Sequence, residues 1–428
     1  MTHFGAICPT QFTGHLNTML PLAQELKRRG HRVTFIGIVG YEAKVLEAGL
    51  EYLGYGKEEF PEGAMTEYLH HLSKLSGIPA FRYIIVKILK KEANALLQDT
   101  PQLIKDAGID ALLIDSVSTG GVAIAELLEI PFITIYSVVL SLQENTVPPI
   151  FTNWKYNPTW WAKLRNKFEY RRSRRWAKPL IEVVSKYRTQ WNLPLQPQPD
   201  TPNYQLAQIS HQPAELEFPR ENLPKCFHFT GPYHYSGTRE PVAFPWDKLT
   251  GKPLIYASLG SLVNRFFDVF DKIAVACDGL DAQLVMSLGG SATPESLPNL
   301  PGNSLVVKYA PQLELLQKAT LTITHAGMNT TLECLNNAVP MVAIPIAFDQ
   351  PGVAARIAWS GAGEAIPLKR LTVARLRKAI SKVLTQPSYK QNALRLQSAI
   401  QRSGGVTRAA DIIEQAVSTG KPVLAGTI

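Results

Sequence analysis

No uninterrupted apolar run of about 18 residues occurs anywhere in the chain, so a membrane-spanning helix is not expected. The opening segment, "MTHFGAICPT", has no basic stretch followed by a long apolar one, which argues against a secretory leader. Cysteine is scarce: Cys8, Cys226, Cys277 and Cys334 lie far apart without a CxxC pair. That spacing suits single thiols in a reducing compartment and speaks against a zinc site. A cytosolic protein is therefore expected. There is no GxGxxG after an early strand and no GxxxxGK followed by Ser or Thr, which weakens nicotinamide and ATP readings. Short-period repeats and low-complexity tracts are also missing.

What is present is ample core material. Of 428 residues, 45% are hydrophobic and 18% charged, enough for two or three packed domains. The net charge of +9 is local, because residues 151 to 190 hold eleven Lys or Arg against two acids and account for all of it.

Strand-like and helix-like patterns alternate along the first part. "HFGAICP" at 3 to 9 leads into apolar Leu16, Met19, Leu20, Leu22, Ala23 and Leu26 at helical spacing; Gly30 stops that run and "HRVTFIGI" follows. "IDALLID" at 109 to 115, the small-residue pattern "TGGVAIAELLE" and "IPFITIYS" at 130 to 137 form a second unit. After a Pro- and Gly-marked break at 230 to 253 the same grammar restarts, with strands expected at "LIYASLG", "QLVMSL", "SLVVKYA", "LTITH", "PMVAIPI" and "GEAIPL". Residues 371 to 418 read as purely helical, and could pack back on the first half. The expected fold class is α/β, with two Rossmann-like, doubly wound halves facing across a cleft.

Open α/β sheets bind ligands at the carboxyl ends of their strands, and polar groups cluster there. Ser258 and Ser261 flank Gly260 in "YASLGS", where small side chains let backbone N–H groups approach an oxyanion. "LTITHAGMNTTLE", 321 to 333, runs an apolar strand into His325 and then a helix start, a place where unpaired N–H groups favour an anion. Asn329 and Glu333, four residues apart, share one helical face, so that a phosphate at the helix start and Glu333 on a ribose diol form one coherent picture. Asp349 and Gln350, in "IPIAFDQPG", can hydrogen-bond sugar hydroxyls; the alternatives are an N-cap and a solvated helix residue.

The stretch "YAPQLELLQKATLTITHAGMNTTLECLNNAVPMVAIPIAFDQ", 309 to 350, resembles the nucleotide-sugar signature of the UDP-dependent family-one glycosyltransferases of GT-B fold. Pro311-Gln312, His325, Gly327, Asn329, Glu333, Pro340, Pro345 and Asp349-Gln350 carry the resemblance. It implies that Tyr309 stacks on uracil and Gln312 meets the base edge. It implies further that His325, Asn329, Thr330 and Ser261 hold the diphosphate, that Glu333 binds ribose, and that Asp349 and Gln350 take the sugar hydroxyls. Tyr309 stands where many members have tryptophan, and Met328 where plant members have another. "LAQISHQPAELEFPRENLPKCFHFTGPY" at 206 to 233 and "AFDQPGVAARI" look most like bacterial zeaxanthin glucosyltransferases and their macrolide and plant-metabolite relatives. The implied layout is an acceptor domain over 1–232, a linker over 233–252, a sugar-nucleotide domain over 253–400 and a helical tail over 401–428 that crosses back.

Glycosyl transfer to an alcohol needs a base beside the hydroxyl and stabilisation of the leaving diphosphate. Of nine histidines, His15 and His325 alone combine a strand-end position with an adjacent glycine. Asp115, ending "ALLIDS", can orient an imidazole or cap the next helix. The resemblance favours the first role: His15 as base, Asp115 as its holder, attack with inversion, and Ser137 on the donor sugar. Phe12, in the His15 turn, and Tyr136, beside Ser137, are expected to touch the acceptor. No metal or bound cofactor is expected, the diphosphate charge being left to helix N-termini and His325. The implied reaction transfers a sugar, glucose by resemblance, from a UDP-sugar to a hydroxylated lipophilic small molecule such as a carotenoid. Soluble phenolic or macrolide acceptors are the alternative. A nucleotide-sugar epimerase would not need the His15 and Asp115 pair, and a non-catalytic nucleotide-binding partner should lack the base.

The segment "NWKYNPTWWAKLRNKFEYRRSRRWAKP", with Trp191, holds five of the seven tryptophans. Trp161, Leu164 and Phe168 recur at helical spacing, opposite many of the cations. The simplest reading is a helix packing over the acceptor cleft with its polar face in water. The second is a peripheral contact with an anionic membrane, and nucleic-acid binding lacks a recognisable module.

Overall fold

The computed structural model describes residues 1–195, 206–233, 242–290, 292–297, 300–302 and 304–426. The expected linker therefore falls partly outside the described residues.

The first half is a seven-stranded sheet: β1 (His3–Ile7), β2 (Arg32–Ile38), β3 (Glu51–Tyr55), β4 (Ala111–Asp115), β5 (Phe132–Tyr136), β6 (Gln208–Ser210) and β7 (Phe227–Phe229). Their spatial order is β3-β2-β1-β4-β5-β6-β7, with every pairing parallel. The second half has six strands: β8 (Leu254–Ser258), β9 (Gln283–Ser287), β10 (Leu305–Val307), β11 (Ala319–Thr324), β12 (Met341–Ala343) and β13 (Gly363–Ala365). These run β10-β9-β8-β11-β12-β13, again all parallel. Helices cover both faces of each sheet, so the central strands β1, β4, β5, β8 and β9 are buried along their whole length.

The order of each sheet reverses once, between β1 and β4 in the first half and between β8 and β11 in the second. Helices leave opposite faces at such a switch point and open a crevice at the strands' carboxyl ends.

Three strands had no clear signal in the sequence. β3 is an edge strand with a glycine and mostly half-exposed side chains, and β6 and β7 have three residues each, too short for alternation to register.

The tail forms helices over Val373–Thr385, Pro387–Arg402 and Gly405–Thr419. The last lays Ala409, Ile412, Ile413 and Ala416 against the first half's core beside Leu16, Met19 and Leu26. Arg29 clamps it through Asp411 and Glu414, both at 2.6 Å, and the Val423 N–H donates to the Leu206 carbonyl at 2.9 Å. The chain thus returns to the half in which it began.

The basic segment forms one long helix, Trp160–Gln190. Its inward side is not the one expected. Ala162, Asn166, Tyr170, Leu180, Val184 and Tyr187 are buried, whereas Trp160, Trp161, Leu164 and Phe168 face outward. The reading of a helix with only its polar face in water is corrected, since these four apolar side chains stand in water beside the cations.

Candidate active site

Both switch points are lined by the polar residues picked out from sequence. In the first half, His15 lies in the first turn of the helix Thr13–Arg28 that follows β1, and Asp115 ends β4, the strand paired with β1. Asp115 Oδ2 is 2.9 Å from His15 Nδ1, and its Oδ1 accepts from the Val117 N–H at 2.9 Å. Ser137, one residue past β5, donates its hydroxyl to Asp115 Oδ2 at 2.5 Å and lies 2.7 Å from His15 Nδ1. Burial of the imidazole favours its neutral form, but the Asp115 carboxylate outweighs this, with Asp349 and Glu92 adding to it, so the His15 pKa is raised above 6.5. With Nδ1 occupied, Nε2 is the nitrogen left to take a proton.

In the second half, the turn after β11 carries His325. A Cβ built on Gly260 or on Gly327 would come within 2.6 or 2.5 Å of its ring. Glycine is required at both places to admit the imidazole, and Gly260 also has φ +76°. Burial pulls the His325 pKa down to about 4, and its Nδ1 is buried without a partner among the described residues. Burial thus favours the neutral imidazole, and the N-terminus of the helix Met328–Asn336, capped at Gly327, adds a positive field beside it. Ala326, between them, holds the left-handed φ of 66°. Phe348, just before Asp349, does the same at 56°. Two non-glycine residues in this region beside proposed ligand groups fit strain kept at a functional site.

Gln312, opening the short helix Gln312–Leu316, reaches the helix Met328–Asn336: its Nε2 donates to Glu333 Oε2 at 2.6 Å and to Thr330 Oγ1 at 3.4 Å, while its Oε1 accepts from the Tyr256 hydroxyl at 3.1 Å. The expected base-edge and ribose groups are thus adjacent and mutually oriented. Tyr309 stands half exposed against Gly290, where a Cβ would overlap its hydroxyl. Ser261 is exposed in the turn after β8.

Two expected donor residues reach across to the other half. Asn329 Nδ2 donates to the Gly14 carbonyl at 2.7 Å, and its Oδ1 accepts from Thr18 at 3.3 Å. Asp349 Oδ2 accepts from the Val139 N–H at 3.3 Å; burial raises its pKa, against that bond and His15. Gln350 uses Oε1 to accept from the Ile346 and Ala347 N–H groups, leaving its amide N–H2 to offer a ligand.

Tyr136 does not line the crevice. Its ring packs with Leu140 and Phe227, and its hydroxyl donates to Gln208 at 3.2 Å, because at this position of β5 the pleat turns the side chain into the core. Its expected acceptor contact is corrected. Phe12 is also buried, with its ring 5.9 Å from that of His15.

Sequence reasoning missed three groups. Glu92, from the helix Lys90–Asp106, is buried behind His15, accepts from Gln11 at 2.8 Å, and is pushed up to about 7 by burial. His211, just past β6, bonds the Tyr136 carbonyl through Nδ1 at 2.7 Å and lies beside Asn329. Arg356 forks onto Glu217 at 2.6 and 3.0 Å, a buried ion pair joining the halves away from His15 and Asp115. "AELEFPRE" and "VAARIAW" give no hint of each other. The family signature around Arg356 was the only signal available.

The fold is that of the GT-B glycosyltransferases. The crystal structure of the glycotransferase of kitacinnamycin superposes with a TM-score of 0.76 at 24% identity, covering 97% of this chain and 99% of that one. The chain belongs to the family described as UDP-glucoronosyl and UDP-glucosyl transferase, whose model matches residues 9–406, and is a sugar-nucleotide-dependent glycosyltransferase. It is 32% identical to the zeaxanthin glucosyltransferase of Pantoea ananas, over 100% of this chain and 99% of that protein. It is 28% identical to an NDP-glycosyltransferase of Bacillus subtilis (strain 168), over 94% of each.

Proposed function

We propose that the protein is an inverting O-glucosyltransferase that uses UDP-glucose and a lipophilic, hydroxylated acceptor of carotenoid type, with no metal. The His15, Asp115 and Ser137 cluster, facing Asp349 from the other half, is the observation that carries this reading. His15 Nε2 takes the acceptor hydroxyl's proton. The oxygen then attacks the anomeric carbon from the face opposite the diphosphate, whose C–O bond breaks and whose charge goes to the helix start at Gly327. Asp115 fixes the imidazole and stabilises its protonated form. Tyr309, Gln312 and Glu333 serve the nucleoside; His325, Asn329, Thr330 and Ser261 the diphosphate; Asp349, Gln350 and Ser137 the sugar.

The acceptor class is supported by similarity to zeaxanthin glucosyltransferases along the whole chain. A cavity of about 200 Å³ also supports it; Phe81, Ile150, Phe151, Tyr170, Ala177 and Ile181 are among its walls. The loop that lines it starts at Ser137, against the base. The test is UDP release from UDP-glucose with zeaxanthin in liposomes, a flavonol or a simple phenol. Turnover of zeaxanthin is expected; turnover of the soluble phenols alone would overturn the acceptor class and leave the transferase chemistry standing.

A further inference from the structure

The helix Trp160–Gln190 has two faces with different work. One, with Tyr170, Ser173, Arg174, Ala177 and Ile181, walls the apolar cavity. On the other, Trp160, Trp161, Leu164 and Phe168 are 77%, 47%, 60% and 68% exposed. At 100° per residue these four fall on one stripe, which Arg171 and Arg175 continue for another turn. Lys167, Arg171 and Arg175 are exposed and have no ion-pair partner among the described residues. Arg165 instead stacks on the Trp154 ring at 4.0 Å and lies 5.5 Å from that of Trp161, bracing the stripe's root.

Four large apolar side chains side by side on a surface helix are costly in water unless something covers them. We propose that this stripe docks the protein on an anionic lipid surface, with Trp160, Trp161, Leu164 and Phe168 in the headgroup boundary and Lys167, Arg171 and Arg175 against lipid phosphates. Charge decides among occupants. A second copy would bring two segments of net charge +9 into contact, and a nucleic acid would satisfy the cations but leave Leu164 and Phe168 in water. A bilayer with acidic lipid satisfies both sets at once. The docked helix would also hold the cavity on its other face close to the membrane, a benefit that rests on the lipophilic acceptor proposed above; the docking itself does not.

The test is flotation of the full chain with phosphatidylcholine vesicles, with and without phosphatidylglycerol, alongside its turnover of a soluble phenol. Binding is expected only with phosphatidylglycerol, and should weaken as salt rises. The double variant Leu164→Glu with Phe168→Glu should lose at least about tenfold in vesicle affinity, because two apolar anchors go and two anions arrive. Arg171→Ala with Arg175→Ala should weaken binding roughly thirtyfold, at about fivefold per cation. Both changes are at exposed positions, so phenol turnover should hold. Failure of the unaltered protein to float, or flotation unchanged by Leu164→Glu with Phe168→Glu, would overturn the proposal, as would a dimer that this variant dissolves in the absence of vesicle binding. Docking without zeaxanthin turnover would keep the proposal and remove the acceptor reading instead.

Discussion

His15 and His325 occupy comparable places, each in a turn at a switch point, beside a glycine and at the start of a helix. Their surroundings drive them in opposite directions. His15 has a carboxylate at 2.9 Å, two more acids nearby, and a pKa raised above the ordinary 6.5. Among the described residues, His325 has no acid bonded to its ring and no partner for its Nδ1, and burial pulls its pKa down to about 4. Their steric settings differ as well: the ring of His325 is enclosed by Gly260 and Gly327, whereas a Cβ on Gly14 would meet only Asn329 Nδ2, at 3.8 Å. The same local sequence grammar therefore yields an imidazole with a raised pKa in one half and a tightly enclosed one with a lowered pKa in the other. What separates the two roles is the neighbour supplied from a distant strand, Asp115 in one case and none in the other.

The largest break in this contrast should come from His15→Ala. Turnover is expected to fall by about 10²- to 10⁴-fold, while UDP-glucose affinity by calorimetry stays within about twofold; a matching loss of affinity would mean that His15 serves the donor instead. His325→Ala should do the reverse and weaken UDP binding by roughly tenfold to a hundredfold, the range for one hydrogen bond to a charged group, and an unchanged affinity would remove it from the diphosphate site. The finest test is the pH profile of kcat/KM. The base must be unprotonated, so activity should fall as pH drops through the raised pKa of His15, with a limb above 6.5. In Asp115→Asn burial becomes the dominant influence, and the limb of the residual activity should move below 6.5. A limb that stays in place would exclude Asp115 as the source of the shift.

The donor side was legible because it is nearly contiguous: Tyr309 through Gln350 lie in a single stretch whose turns follow consecutive strands. The proposed catalytic pair, His15 and Asp115, could be read only by matching two strand ends 100 residues apart. The contacts across the seam were not legible at all. Asn329 meets Gly14, Asp349 meets Val139 and Arg356 meets Glu217 at separations of 315, 210 and 139 residues. No periodicity links such partners, since the docking of two finished domains makes them neighbours. For the same reason the sequence left two readings of the helix Trp160–Gln190 open, one packed on the cleft and one against a membrane. Helical spacing shows which residues share a face, but not which way that face points.

The bond from Asn329 to the Gly14 carbonyl ties the start of a helix in the second half to the turn that carries His15. The side-chain amide has a second N–H, so a group that takes that one leaves the tether in place. Asn329 is thus a latch between the two turns: any opening of the crevice that parts them must break it.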